Sequence, residues 1–200
     1  MTELKKKRVK TVLKYTWPFY IVAGILVYIV MSVIFRIAHP VPGYKSLTLF
    51  ISGEVTDSKK LSKDMYLKYQ DNNLKSFSCI SSKIDDPNYA TKLSVPGYNS
   101  TDVLIIPTSK LETITVSYFA IDLKEELINS YFQGYTFYAQ NEVNYGIKVD
   151  KSKVNQYMTL PNEDCYMFLN GKSQNLGEYS LKKPNKDHNT ALRLVKDWGM

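Results

Sequence analysis

Two hundred residues, 44% of them hydrophobic, suffice for one membrane-spanning segment and one domain with a buried core, and leave no room for a second domain of ordinary size. The net charge of +7 is unevenly spread: seven of the 26 basic residues and one of the 19 acidic ones, Glu3, precede Ile37, so 19 basic and 18 acidic residues remain beyond it. A near-neutral remainder excludes the clustered Lys and Arg footprint of a nucleic-acid binder.

Residues 1–15 read as a basic cytoplasmic tail carrying Lys5, Lys6, Lys7, Arg8, Lys10 and Lys14. Between Lys14 and Arg36 runs YTWPFYIVAGILVYIVMSVIF, 21 residues without a charge. At about 1.5 Å per helical residue this run matches a hydrocarbon core of about 30 Å, so a transmembrane anchor is predicted over 16–36. Trp17 and Tyr20 stand at its N-terminal end, where amphipathic rings favour the headgroup region, and Pro18 is placed in the first helical turn. The lysine cluster marks the cytoplasmic end, which puts everything after Arg36 outside the cytoplasm. A cleaved signal peptide is the competing reading. The apolar run exceeds the roughly 7–15 residues of a signal h-region, and SVIFRIAHP offers large residues where a peptidase needs small ones.

Residues 37–43 form a short stiff linker, His39-Pro40-Val41-Pro42-Gly43, and a single domain is predicted over 44–200. Leu47, Leu49 and Ile51 alternate with Thr48, Phe50 and Ser52, the period of a strand. Asp57 or Ser58 is placed to cap a helix whose Leu61, Met65 and Tyr69 share one face and which Asn72-Asn73 ends. Lys75–Ser81 reads as a second strand. Asp86-Pro87 predicts the start of a short helix bearing Tyr89 and Leu93, stopped by Pro96-Gly97. Val103–Ile106, an apolar run between Asp102 and Pro107, suits a strand buried on both faces. This alternation of strands and helices predicts an α/β sheet with helices on each side. Ile114, Val116 and Tyr118 alternate as a further strand, Asp122 is placed to cap a helix through Ser130, and several short strands are expected between Thr136 and Leu169. Asn170-Gly171 is a hairpin-type turn signal, and a last helix is predicted from Thr190 to Trp198.

Catalytic and metal motifs are sparse. His39 and His188 lie far apart in the chain and far from either cysteine, which leaves no zinc spacing. Ser180 and Lys183 fit a Ser-x-x-Lys spacing, but in a lysine-rich chain that match is expected by chance and no SDN or KTG element accompanies it. Cys79 and Cys165 read as buried thiols, with a disulfide in an oxidising compartment as the alternative. Thirteen of the 16 tyrosines lie beyond Arg36; they suit strands, and equally sugar stacking or a protein interface. Asn99-Ser100-Thr101 matches a glycosylation sequon.

The segments LTLFISGEV, VPGYNSTDVLIIPTSKLE, NYGIKV, PNEDCYMFLNGKSQNLG and NTALRLVKDW resemble, in that order, parts of the extracellular solute-binding proteins of bacterial ABC transporters. Asp102 to Pro107 matches the family's Asp-hydrophobic-hydrophobic-x-x-Pro strand end. Tyr145-Gly146-Ile147 echoes its YG-[IL]-P strand start with Lys148 in place of proline, and Ala191 to Trp198 matches its terminal helix. The resemblance implies a three-layer α/β domain equivalent to one lobe. Full members trap solute by closing one lobe on another, and here only about one lobe is present. Any ligand edge would lie at the carboxyl ends of the strands, at Ser52, Gly53, Ser81, Ser82, Pro107, Thr108 and Ser109, although these residue types also simply form turns. The resulting expectation is a cofactor-free, non-enzymatic protein held in the lipid bilayer that docks on another membrane or envelope protein, such as a permease, and binds no nucleic acid. Weak capture of a carbohydrate or peptide at Ser52 and Ser109 is the alternative.

Overall fold

The structure, a computed structural model, describes residues 3–39, 41–72, 74–181 and 184–200. The chain divides into two compact units, 1–40 and 41–200.

The first unit is one helix, α1 (Glu3–Ala38), and within it Lys14–Phe35 is long and apolar enough to cross a membrane. The basic residues from Lys5 to Lys14 lie in the same helix as the apolar run. One sequence expectation changes here. Pro18 therefore sits well inside the helix and not in its first turn. Lacking an N–H, Pro18 leaves the carbonyl one turn before it, that of Lys14, without its usual helical donor. Lys14, Trp17 and Tyr20 sit together on this stretch, and Trp17 and Tyr20 are more than half exposed.

The second unit begins after Pro42 with a short 3₁₀ turn, Gly43–Lys45, and continues as β1 (Ser46–Ser52), β2 (Glu54–Val55), α2 (Ser58–Lys68) and β3 (Ser76–Ser82). Asp57 caps α2 by accepting from Lys60 N at 2.8 Å, as its position predicts. α2 ends at Lys68, ahead of the predicted stop at Asn72-Asn73, and a 3₁₀ turn over Gln70–Asn72 follows it; Asn73 lies outside the described residues. There follow α3 (Tyr89–Lys92), a π-turn over Leu93–Gly97, α4 (Tyr98–Ser100), β4 (Val103–Pro107) and α5 (Thr108–Leu111). Pro96-Gly97 does not stop this helix. The wider π-turn absorbs the proline, and the Asn99 side chain donates to the carbonyls of Ser94 and Val95 in place of backbone amides. Asp86 makes no helix cap; its carboxylate accepts from Asn88 N at 2.8 Å and pairs with Lys92 at 2.6 Å.

After α6 (Glu125–Tyr131) come β5 (Phe137–Gln140), β6 (Val143–Lys148), α7 (Lys151–Val154), β7 (Met158–Thr159), β8 (Cys165–Leu169) and α8 (Thr190–Trp198). Asp122 does not cap α6, whose preceding residue is Lys124; Glu125 and Glu126 complement its N-terminus instead. Six strands form one mixed sheet in the order β3-β1-β4-β8-β6-β5. β3, β1 and β4 lie side by side and parallel, whereas β8 runs antiparallel to both its neighbours. β2 and β7 form a separate two-stranded pair.

Both faces of the sheet are buried, which is why β4 reads as unbroken apolar sequence. Leu47, Leu49, Ile51, Val103 and Ile105 face one layer with Leu61 and Met65 of α2 and Leu192, Val195 and Trp198 of α8. Phe50, Leu104, Ile106 and Phe168 face the other, with Tyr89, Leu93, Leu111, Val116 and Phe119. Gly146 is needed where β6 passes under Phe168, since a Cβ there would meet the ring at 2.6 Å.

Candidate functional site

The carboxyl ends of β1, β3 and β4 come together, as an open sheet with parallel neighbours requires, and bring Ser52, Gly53, Ser81, Ser82, Thr108 and Ser109 to one edge. Each of these except the exposed Ser81 meets another part of the chain. The Ser52 hydroxyl lies 2.8 Å from the Tyr89 hydroxyl, both buried, and burial pushes the Tyr89 phenol up to about 12. Ser82 donates to Asp86 at 3.1 Å.

The remainder of the edge is covered by residues 157–164, which we term the strap. Its Met158–Thr159 pairs with Glu54–Val55, and the Tyr157 carbonyl accepts from Thr56 N at 2.9 Å and Asp57 N at 3.3 Å. Gly53 is required beneath it, because a Cβ at that position would collide with the Thr159 carbonyl oxygen. At the far end the Glu163 carboxylate accepts from Ser109 N and Ser109 Oγ, both at 2.7 Å, and the Asp164 carbonyl accepts from Thr108 N and Thr108 Oγ1, both at 2.9 Å. Lys148 pairs with Asp164 at 2.7 Å, and Lys151 Nζ donates to the Pro161 carbonyl at 2.6 Å. An internal carboxylate thus holds the donors that an acidic ligand would use at Ser109. Nothing local in the sequence announces this, since 54 residues separate the partners.

A second polar cluster lies at the opposite, amino edge. Asp102 is buried, and its carboxylate accepts from Thr48 N at 2.8 Å, Ser173 Oγ at 2.5 Å and Asn175 Nδ2 at 3.1 Å. Burial holds this carboxyl above the ordinary aspartate range, with those three donors opposing the shift. Asn175 Nδ2 also reaches the carbonyls of Ser46 at 2.7 Å and Gly43 at 3.2 Å, so the cluster ties the first turn of the domain to the loop after β8. In the sequence Asp102 bounds an apolar strand and opens the Asp-hydrophobic-hydrophobic-x-x-Pro pattern; the structure gives it an architectural role.

Beside this edge is a groove of about 660 Å³ lined by Tyr118, Ile121, Leu127, Lys172, Tyr179 and Leu181, of which Tyr118 and Leu181 are 81% exposed. Among the described residues no three His, Cys, Asp or Glu side chains stand together as a metal site. His188 stacks on Tyr44 at 3.8 Å. Lys183, the second half of the Ser-x-x-Lys match, lies outside the described residues. Cys79 on β3 and Cys165 on β8 are both free, and the two strands β1 and β4 between them separate them sideways by roughly 14 Å at about 4.8 Å per strand, beyond disulfide reach even before their offset along the strands is added. Burial pushes their thiols to about 12 and about 11 respectively. No family model, no curated protein and no solved structure matches this chain.

Proposed function

We propose that this is a single-pass membrane protein whose α1 end faces the cytoplasm and whose α/β domain stands outside it, related to one lobe of the bacterial solute-binding proteins and working as a non-enzymatic interaction protein of the envelope, docked on a membrane partner of the permease kind. The positive-inside distribution of Lys5 to Lys14 supports the orientation. The parallel arrangement of β3, β1 and β4, with Pro107 closing β4, supports the lobe relationship.

The observation that carries the interaction reading is the strap. An edge meant to take free solute keeps its donors open, and here Glu163 and Asp164 hold the donors of Ser109 and Thr108. Photo-crosslinking in whole cells, from probes at exposed positions such as Val95, Tyr118 and Leu181, tests it. The reading expects one membrane-protein adduct in stoichiometric yield, and the absence of any such adduct at all three positions overturns it.

Capture of a carbohydrate or peptide at the same edge is the second reading, favoured by the exposed setting of the Glu163–Ser109 contacts, from which the carboxylate is displaceable. It requires a rise in melting temperature that follows ligand concentration, and a panel of sugars and short peptides separates the two.

A further inference from the structure

The two edges of the six-stranded sheet are built differently. β5 closes one side with four residues and a register break between Tyr138 and Ala139, the kind of interruption that blunts an edge. β3 closes the other with seven residues, Ser76 to Ser82, all uncharged, without proline and paired in unbroken register along the whole of β1. Long, even, uncharged edges template the addition of another strand.

The hydrogen-bonding direction of β3 follows from its neighbours. Thr48 turns its backbone groups to the β4 side, where its N–H meets Asp102 and its carbonyl accepts from Asp102 N, while Gly53 N donates to the Ser82 carbonyl. The even-numbered residues of β3 therefore face β1, and Phe77, Cys79 and Ser81 face outward. Phe77 N agrees, since it donates outward to the Tyr66 hydroxyl at 3.0 Å. The Cys79 and Ser81 amides meet no group among the described residues.

Charge decides what can sit there. Lys75 and Lys83 bracket the strand, and Lys59 and Lys63 lie on the helical stripe of α2 that also carries Tyr66. Among the described residues Lys59, Lys63 and Lys75 have no ion pair, and Lys83 has only the exposed contact to Glu54 at 2.8 Å. A second copy of this chain fits poorly, because antiparallel pairing about Cys79 sets Lys75 against Lys83 of the other copy.

We infer that the outer edge of β3 is a docking site for an extended segment of a partner polypeptide that carries acidic residues at both ends and adds to the sheet as a seventh strand. Main-chain bonds to Cys79 and Ser81 supply the pairing, and the four lysines select the flanks. The inference rests on the interaction reading above and names the surface that serves it.

The test uses the full chain in zwitterionic nanodiscs and three synthetic peptides: a Thr-Val-Thr-Val-Thr core flanked by Asp-Glu at both ends, the same core flanked by Lys-Lys, and the acidic peptide with a central proline. Fluorescence anisotropy reads affinity and hydrogen exchange reads the Cys79 and Ser81 amides. The acidic peptide binds at least about tenfold tighter than the basic one, slows exchange at both amides, and weakens as salt rises. The proline peptide does not bind. Ser81→Pro removes an outward amide that β1 does not use, and abolishes binding while exchange at Leu104–Ile106 stays slow. Lys75→Glu with Lys83→Glu, which sets two carboxylates beside the two remaining lysines, removes the preference between flanks. Equal binding of both charged peptides, full binding to Ser81→Pro, or no binding by the acidic peptide at about 1 mM overturns the inference. A crosslinked membrane partner that survives Ser81→Pro would remove this surface and leave the interaction reading standing.

Discussion

Replacing Gly53 by alanine tests the strap directly. The added Cβ points at the Thr159 carbonyl oxygen, with the Cα and a side-chain methyl of Leu160 at 3.4 Å behind it. Backbone cannot rotate away as a side-chain tip can, so the Met158–Thr159 pairing with Glu54–Val55 must shift. Overpacking of this kind costs about 1–3 kcal/mol, and because β1 itself is anchored on both sides by β3 and β4, that cost falls on the strap. A local opening free energy reduced by that amount raises amide exchange by about 5- to 150-fold. The reporters are Thr56 N and Asp57 N, whose acceptor is the Tyr157 carbonyl, together with Ser109 N, whose acceptor is Glu163. Hydrogen exchange of the alanine variant should show these three amides accelerated and Leu104 to Ile106 unchanged. Unchanged rates at all three, or uniform acceleration that includes β4, would refute the assignment of the strap as a separately released cover.

Asp102→Ala leaves Thr48 N and Ser173 Oγ without their acceptor in a buried place, while Asn175 Nδ2 keeps the carbonyls of Ser46 and Gly43, a loss of about 2 kcal/mol or more in denaturant unfolding. Because burial raises the folded-state pKa of Asp102, its carboxyl favours folding below the ordinary aspartate range and loses that contribution as pH rises through the raised value. The stability difference between the native chain and Asp102→Asn, followed from about pH 3 to about pH 7, should therefore shift in favour of the asparagine variant as pH increases. Asn141 and Glu142 join β5 to β6 with φ of 53° and 65°, so Glu142→Gly relieves a left-handed side-chain residue and should stabilise the domain by about 1 kcal/mol in the same assay. Both cysteines should remain unmodified by iodoacetamide at about pH 8 in the folded chain and should both alkylate after unfolding without reductant; a crosslinked Cys79–Cys165 peptide would contradict the strand order.

Local periodicity carried most of the fold. The alternation at Leu47–Ser52, the stripe Leu61–Met65–Tyr69, the apolar run Val103–Ile106 and the face Leu192–Val195–Trp198 each describe one element burying one surface, and each element is present. Ile114, Val116 and Tyr118 misled because alternation was read as a strand where a side chain does the pairing. Gln140 accepts from Val116 N at 2.9 Å and donates to the Ile114 carbonyl at 3.0 Å, so the segment folds as a loop with a 3₁₀ turn at Val116–Tyr118, burying Val116 and leaving Tyr118 outside. Asn170-Gly171 misled as well: among the described residues no strand follows it as a hairpin partner, Asn170 bridges back to Ala120, and a tight hairpin lies at Asn141-Glu142. The candidate edge was legible as a place, since parallel neighbours bring Ser52, Ser82 and Thr108 together. Its occupation by Glu163 and Asp164 was not, because a contact across more than fifty residues leaves no periodic trace.

The proposed topology keeps α1 in the bilayer with its lysine-bearing end inside and the α/β domain outside. Protease added to intact cells, followed by mass spectrometry of the protected fragment, tests it most directly. The account predicts that peptides from 44–200 disappear while a fragment retaining residues before Trp17 survives in the membrane; survival of the domain, or mature chains that begin beyond Phe35, would contradict it.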